Sequence, residues 1–555
     1  MKTRSLTNFS IGFVLSLGLV ALCPLLVAAQ VPLSQAPLNP AFQQYQAARE
    51  RGTVQSLSAG GHALGYGPAP VNLEHTAGQG ALASHQVSGA PATYDLRTLG
   101  KLTAIRDQAA CGSCWTFGAC ASLESCLLTN ETWDFSENNL KNTHGFDWGP
   151  CDGGNIWMST AYMARWSGPA TEAADPYHDW DDRPSPPVSA VKHVQDVLFL
   201  PLRASATDND TIKQAIMTYG AVTSSFYYND SYYNSSTHAY YCNSASSANH
   251  EVAIVGWNDN YPATNFPMTP PGNGAFIMKN SWGTGWGEAG YFYISYYDMG
   301  IGMNENAVFE DSEPTDKYTH IYQYDPLGWV ASCGYGTTSA WAANVFTAVD
   351  TEQLRAVSFY TVAVNTSYQV YIYQNPSSPP TGGSPVSSVS GAIAYPGYHT
   401  VALTTPVMLA PGQQFSVVIN FTTPGYTYPL PIEYAYPGYS SAATAAAGQS
   451  YFSYDGASWQ DTTTWDATCN VCIKALTTVF RITAISREGN DMRVTWLSAA
   501  RNTNALEVAT GAAGAFPTNF ASLFIVTNAV GTSTNYLDPG AITNGSRFYR
   551  VRLNP

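Results

Sequence analysis

The pattern of apolar positions changes character twice along the chain. Residues 114–128 are apolar with almost no polar interruption, which predicts a buried helix. Residues 156–166 and 210–219 also predict helices, the second opening on Asp/Thr capping chemistry. After these, residues 252–257, 274–279 and 291–297 predict strands, the last with strong alternation. A helical half followed by a β half predicts an α+β domain over 91–314. Beyond about residue 315 helical signals stop. Runs at 354–360, 368–373, 399–403 and 415–421 predict strands separated by Pro/Gly turns, hence a β-sandwich over 315–478. A third unit, 479–555, contains alternating strands at 492–496 and 549–553. The fold class expected is α+β followed by two all-β sandwich domains.

The N-terminal end follows other rules. Lys2 and Arg4 precede an apolar run at 11–27 and the small residues Ala28 and Ala29, which reads as a signal peptide over 1–29, cut before Gln30. The run is just long enough to span a membrane, but Pro24 and the small-residue end favour cleavage. Leu22 before Cys23 disfavours lipidation. No other segment resembles a membrane span. Residues 30–90 form an Ala/Gly/Pro/His-containing leader in which only 39–51 suggests a short helix.

Composition narrows the class. Of 555 residues only 11% are charged while 45% are hydrophobic, so packed cores are available. The length suggests about three domains. A net charge of −15 repels phosphate backbones and excludes nucleic acid as an expected partner. Ten cysteines, nine after signal removal, leave an odd thiol in an exported chain, which suggests one reactive cysteine among disulfides.

The candidate is Cys114. Acyl transfer by cysteine needs a thiolate, a base, an orienter for the base, and oxyanion donors. Cys114 ends the pattern Cys111-Gly112-Ser113-Cys114-Trp115 and opens the apolar helix, whose N-terminal N–H groups favour a negative sulfur. Asn249-His250-Glu251 leads an apolar strand 136 residues later. Lys279-Asn280-Ser281-Trp282-Gly283, Asp107-Gln108 and Cys151-Asp152-Gly153-Gly154 supply further pieces. In their order along the chain these pieces resemble the papain family of cysteine peptidases over roughly 91–311.

The resemblance implies a papain-like domain with Cys114 as nucleophile and His250 as base, held as a thiolate–imidazolium pair below the free thiol pKa of ~8.5. It implies that Asn280 orients His250, Trp282 shields that bond, and Gln108 joins the Cys114 N–H as oxyanion hole. It also implies a Cys111–Cys151 disulfide, a Gly153-Gly154 edge that pairs with substrate, and Asn155, Ile156 and Asn249 beside the substrate. Glu251 departs from the small residue expected after the histidine; alternation is expected to turn it to the opposite face. The leader is then either a flexible tail or a propeptide that blocks the site.

Cys120 and Cys126, six apart on one helix, cannot bridge each other. Cys469-Asn470-Val471-Cys472 predicts a local or domain-tethering disulfide rather than a redox or zinc site; Cys242 and Cys333 have no obvious partners. Residues 315–478 resemble the lectin-like domain that follows the peptidase in some microbial relatives, through Tyr322-Gln323-Tyr324-Asp325, Trp341 and the 454–459 stretch; carbohydrate is the partner this suggests. Residues 479–555 look like a fibronectin-type or immunoglobulin-like module. The expected activity is secreted or cell-surface hydrolysis of peptide bonds with neither metal nor cofactor. A transpeptidase or ligase using the same residues, and a surface adhesin with an inactive peptidase domain, are the alternatives.

Overall fold

Helix α2 (Cys114–Leu127) follows α1 (Pro40–Glu50) in chain order and is buried from Cys114 to Ser125, as a helix apolar on all sides must be. The computed structural model describes Met1 and residues 32–53, 58–80, 89–128, 130–180, 188–479, 481–497, 503–511, 518–527, 533–543 and 546–554. The expected signal sequence and its cleavage site lie outside the described residues. Among those described, no helix is long and apolar enough to cross a membrane.

α2 packs against the strands Val222–Phe226, His250–Asn258 and Asn306–Pro314, with α3 (Glu137–Thr143) and α4 (Ile156–Ala164) beside it. α5 (Asp210–Thr218) covers the strand His250–Asn258. That strand pairs antiparallel with Val222–Phe226 and Ala275–Lys279, and Tyr291–Ser295 follows on the latter. The expected helices and strands all form, with ends differing by a few residues. α3 gives no signal in the sequence because it is short and polar; Ser136 caps it by accepting from Asn139 N. The strand Lys192–Phe199 gives none because it is buried on both faces and does not alternate.

The sheet does not stop at the end of the α+β region. Val197 and Leu198 pair with Tyr398 and Gly397, which carries the same sheet into the β region through Gly397–Leu409, Glu352–Thr361 and Ile473–Val479. A second, six-stranded sheet, centred on Thr366–Gln374, Gln414–Thr422 and Ser339–Thr347, faces it. Phe359, Val357 and Ile473 meet Phe421, Ile419 and Val370 between the layers. Tyr322 and Tyr324 lie against this core, so these aromatics serve packing. Trp341 instead stacks on Tyr371 at 5.9 Å, and Tyr454 is exposed. The C-terminal unit is two three-stranded sheets closed around Val494, Trp496 and Leu506.

Cys111 and Cys151 form a disulfide. Cys469 and Cys472, expected to be bridged, are free thiols, as are Cys114, Cys120, Cys126, Cys242 and Cys333. Both CxxC cysteines are instead buried as small apolar side chains of two different cores, Cys469 within the sandwich and Cys472 in the core that continues into the α+β region.

Candidate active site

The leader is ordered wherever it is described, and it runs into the cleft. Ser34 and Gln35 pair with Gly334 and Cys333 at the edge of the β region. Asn39 caps α1 by accepting from Ala41 N, with Pro40 as first residue. The segment 62–67 then lies along the candidate catalytic and substrate-binding residues. Gly154 N donates to Gly65 O at 3.0 Å, and Gly67 N donates to Gly154 O at 2.9 Å. Tyr66 N donates to Asn249 O. The Gly154 edge thus holds a peptide strand, here in parallel. Gly154 must lack a side chain, because a methyl group there would run into the Trp115 ring.

Cys114 sits at the first turn of α2, fully buried. His250 opens its strand, and its Nε2 is 2.9 Å from Asn280 Oδ1. The opposite ring nitrogen, Nδ1, has no hydrogen-bond partner among the described residues. Trp282 stacks on the His250 imidazole at 4.8 Å, and His62 of the leader stacks on the other side of the indole at 5.3 Å. Gln108 Oε1 accepts from Ser281 Oγ at 2.6 Å, while Nε2 donates to Ala63 O at 2.7 Å and Cys111 O at 3.0 Å. A leader carbonyl therefore occupies the donor expected to hold an oxyanion.

Asn155 is the N-cap of α4; its Oδ1 accepts from Met158 N, and its Nδ2 donates to Gly67 O. Ile156 is buried beside it. Gly153, with φ +103°, approaches Gly65 O. The structure thus brings Cys114, Gln108, Gly153, Gly154, Asn155, Asn249, His250, Asn280 and Trp282 around one strand of peptide.

Electrostatics depart from the sequence expectation. The Cys114 thiol is pushed up to about 12, by burial first and by the charge of Glu251 second; backbone N–H groups of Glu251, Gly65 and Trp115 pull the other way. Burial pulls His250 down to about 4, against its bond to Asn280. With the leader in place, burial disfavours the charged form of both groups. The physical reason is exclusion of water from the charged forms. Glu251 is not inert either. It lies buried against Gly118 of α2, accepts from Thr223 Oγ1 at 2.5 Å, and burial raises its own pKa well above the carboxylate range.

Other contributors carried no sequence signal. Ser281 orients Gln108, and Tyr177 donates to Gln108 O at 2.9 Å. Tyr66 sends its hydroxyl to Glu305 Oε1 at 2.6 Å, and Glu305, held by burial up to about 8, is buried where α4 begins. Only Ser281 stood inside a recognised motif. The rest come from segments distant in sequence.

Residues 90–310 match the family model of papain family cysteine proteases, and residues 321–477 that of a lectin like domain. Cysteine proteinase 1 of Entamoeba histolytica is 30% identical over 207 residues, covering 36% of this chain and 62% of that protein. The chain therefore spans under two thirds of that relative's length. The crystal structure of the cysteine protease and lectin-like domains of Cwp84, a surface layer associated protein of Clostridium difficile, matches at TM-score 0.67 and 27% identity, covering 80% of this chain and 98% of that one. The structure of clostridial Cwp84 after propeptide cleavage matches at TM-score 0.61 and 29% identity, covering 70% and 99%. The chain carries a papain-family cysteine protease domain followed by a lectin-like domain.

Proposed function

We propose that the protein is a secreted cysteine endopeptidase held inactive by its own leader. The observation that carries this reading is the leader strand on Gly154, with the Ala63 carbonyl on the Gln108 amide beside Cys114. In this reading the leader leaves and water re-enters. Cys114 and His250 can then ionise as a pair, since burial is the main cause of both shifts. The Cys114 thiolate attacks the scissile carbonyl, and the oxyanion forms against Gln108 Nε2 and the Cys114 N–H. His250, oriented by Asn280, gives its proton to the leaving amine and then takes one from the water that releases the acyl-enzyme.

The parallel pairing of the leader on Gly154 fits its role as inhibitor, because a strand threaded in one direction need not be cut as a substrate threaded in the other. Secretion or surface attachment rests on the sequence of residues 1–29 and on the likeness to a surface layer associated protein. Carbohydrate binding by the lectin-like domain rests on its family match and on Trp341 and Tyr371 stacked on the outer face of its six-stranded sheet. The C-terminal module serves as a spacer of fibronectin or immunoglobulin type in this reading.

The test compares wild type with Cys114→Ala on a panel of dipeptide fluorogenic substrates, with reductant, after leader removal. Activity in the wild type alone supports the assignment. Activity in neither defeats the peptidase reading, and activity in both removes Cys114 from the role of nucleophile.

A further inference from the structure

The leader does more than fill the cleft. Its helix α1 buries Phe42 completely, edge-on against Tyr436 at 5.2 Å and Tyr439 at 5.3 Å. Both tyrosines belong to the lectin-like domain. Trp148 of the protease domain lies at 5.3 Å from the Tyr439 ring, and Tyr45 of α1 covers Trp148 at 5.3 Å. The walls of the Phe42 seat thus come from two domains.

Those walls are fixed without the leader. Trp148 Nε1 donates to Gly438 O at 2.9 Å, and Asp147 N donates to Tyr439 O at 2.9 Å. The Asp147 carboxylate accepts from both the backbone N and the hydroxyl of Ser441. The Tyr439 hydroxyl donates to Asn155 Oδ1 at 3.3 Å. Residues 438–441 are therefore pinned to the protease domain by bonds that α1 does not make, to which Gln46 of α1 adds one on Gly438 O. Tyr439 also makes the seat continuous with the cleft, because Asn155 follows Gly154 and donates to the carbonyl of the strand lying there.

We infer that this seat is a distal substrate subsite, built jointly by the protease and lectin-like domains, for an aromatic side chain of a polypeptide substrate. The inference rests on the peptidase reading above. Once the leader departs, a preformed aromatic pocket adjoins the edge that grips the peptide. A ring that fills it gains binding without rearranging the walls, as the leader's own phenylalanine does. A dipeptide substrate is too short to reach it. Large aromatic anchors in preformed pockets are the contacts that dominate interface energies. The lectin-like domain is then part of the substrate-binding surface of the enzyme.

The experiment uses the full-length wild type after leader removal. Long fluorogenic peptides share one cleavage sequence and differ by a single phenylalanine, moved outward from the scissile bond in an alanine background. One position is expected to raise kcat/KM by about tenfold, in line with burial of one such side chain. Tyr436→Ala is expected to abolish that gain and Tyr436→Phe to keep it, with dipeptide turnover unchanged in both. If no position gains in the wild type, the seat belongs to the leader alone and the subsite is overturned. A gain that survives Tyr436→Ala in an enzyme with normal dipeptide turnover overturns it too. Absence of all turnover, dipeptides included, defeats the peptidase reading and the subsite with it.

Discussion

Gln108 and Glu251 show how single residues set the chemistry of this cleft. Gln108 is held on both sides of its amide, by Ser281 through Oε1 and by the Cys111 carbonyl through Nε2. Its donor is therefore placed before any substrate arrives, which is what oxyanion stabilisation needs. Gln108→Ala in the leader-free enzyme is expected to lower kcat by about 10²–10³, with KM little changed; a loss under about tenfold would remove it from that role. Glu251 acts through charge. Where Glu251 is ionised its charge raises the Cys114 thiol pKa, so removing that charge lowers the pKa. Glu251→Gln is expected to shift the pH profile of Cys114 alkylation toward lower pH, measured with iodoacetamide on the leader-free protein. No shift, or a shift upward, would show that the carboxylate is neutral where the thiol titrates.

At the scale of elements, the leader is a set of short pieces, each too weak alone. A two-residue strand, an 11-residue helix and a cleft-bound strand act together because each docks on a different partner. Tyr66 anchors the cleft-bound piece. Its buried hydroxyl donates to Glu305, which also accepts from the backbone of Ile156 and Ala69. Tyr66→Phe removes the hydroxyl from that carboxyl group, which keeps its backbone donors Ile156 and Ala69, at a cost of about 1 kcal/mol. The leader is therefore expected to loosen by about fivefold. The onset of activity of the full chain should come earlier, and a synthetic leader peptide carrying the change should inhibit less. Unchanged inhibition would mean that the backbone pairs on Gly154 dominate retention.

At the scale of the whole molecule, the protease and lectin-like regions share one core. Trp157 and Phe199 pack on Trp329 at 6.2 and 6.0 Å, and Tyr360 and Tyr398 join the same cluster. Arg165, half-buried, bridges the two regions by donating to Thr143 O and to Pro326 O. A chain truncated after Pro314 would expose these aromatic faces, each worth about 1.5–3 kcal/mol of burial. It is expected to aggregate, or to melt at least ~10 °C below the full chain in a thermal denaturation experiment. Equal melting temperatures would mean that the protease region folds independently of the lectin-like domain.

The division between sequence and fold reflects the range over which each signal acts. Cys114 on an apolar helix, His250 before an apolar strand, and Gln108 and Asn280 in short motifs were all legible, because local patterning and side-chain chemistry place them within a few residues. The β character after residue 315 was legible for the same reason: strand alternation and Pro/Gly turns are local. The three-dimensional arrangement alone decided that Ala63 lies on Gln108, that Tyr66 finds Glu305 239 residues away, that Tyr439 reaches Asn155 across 284 residues, and that one sheet runs through two regions by way of Gly397 and Tyr398. It also decided that Cys469 and Cys472 stay unbridged and that burial disfavours the charged forms of Cys114 and His250. Pairing, desolvation and charge all depend on which distant segments exclude water together, and no local pattern of residues records that.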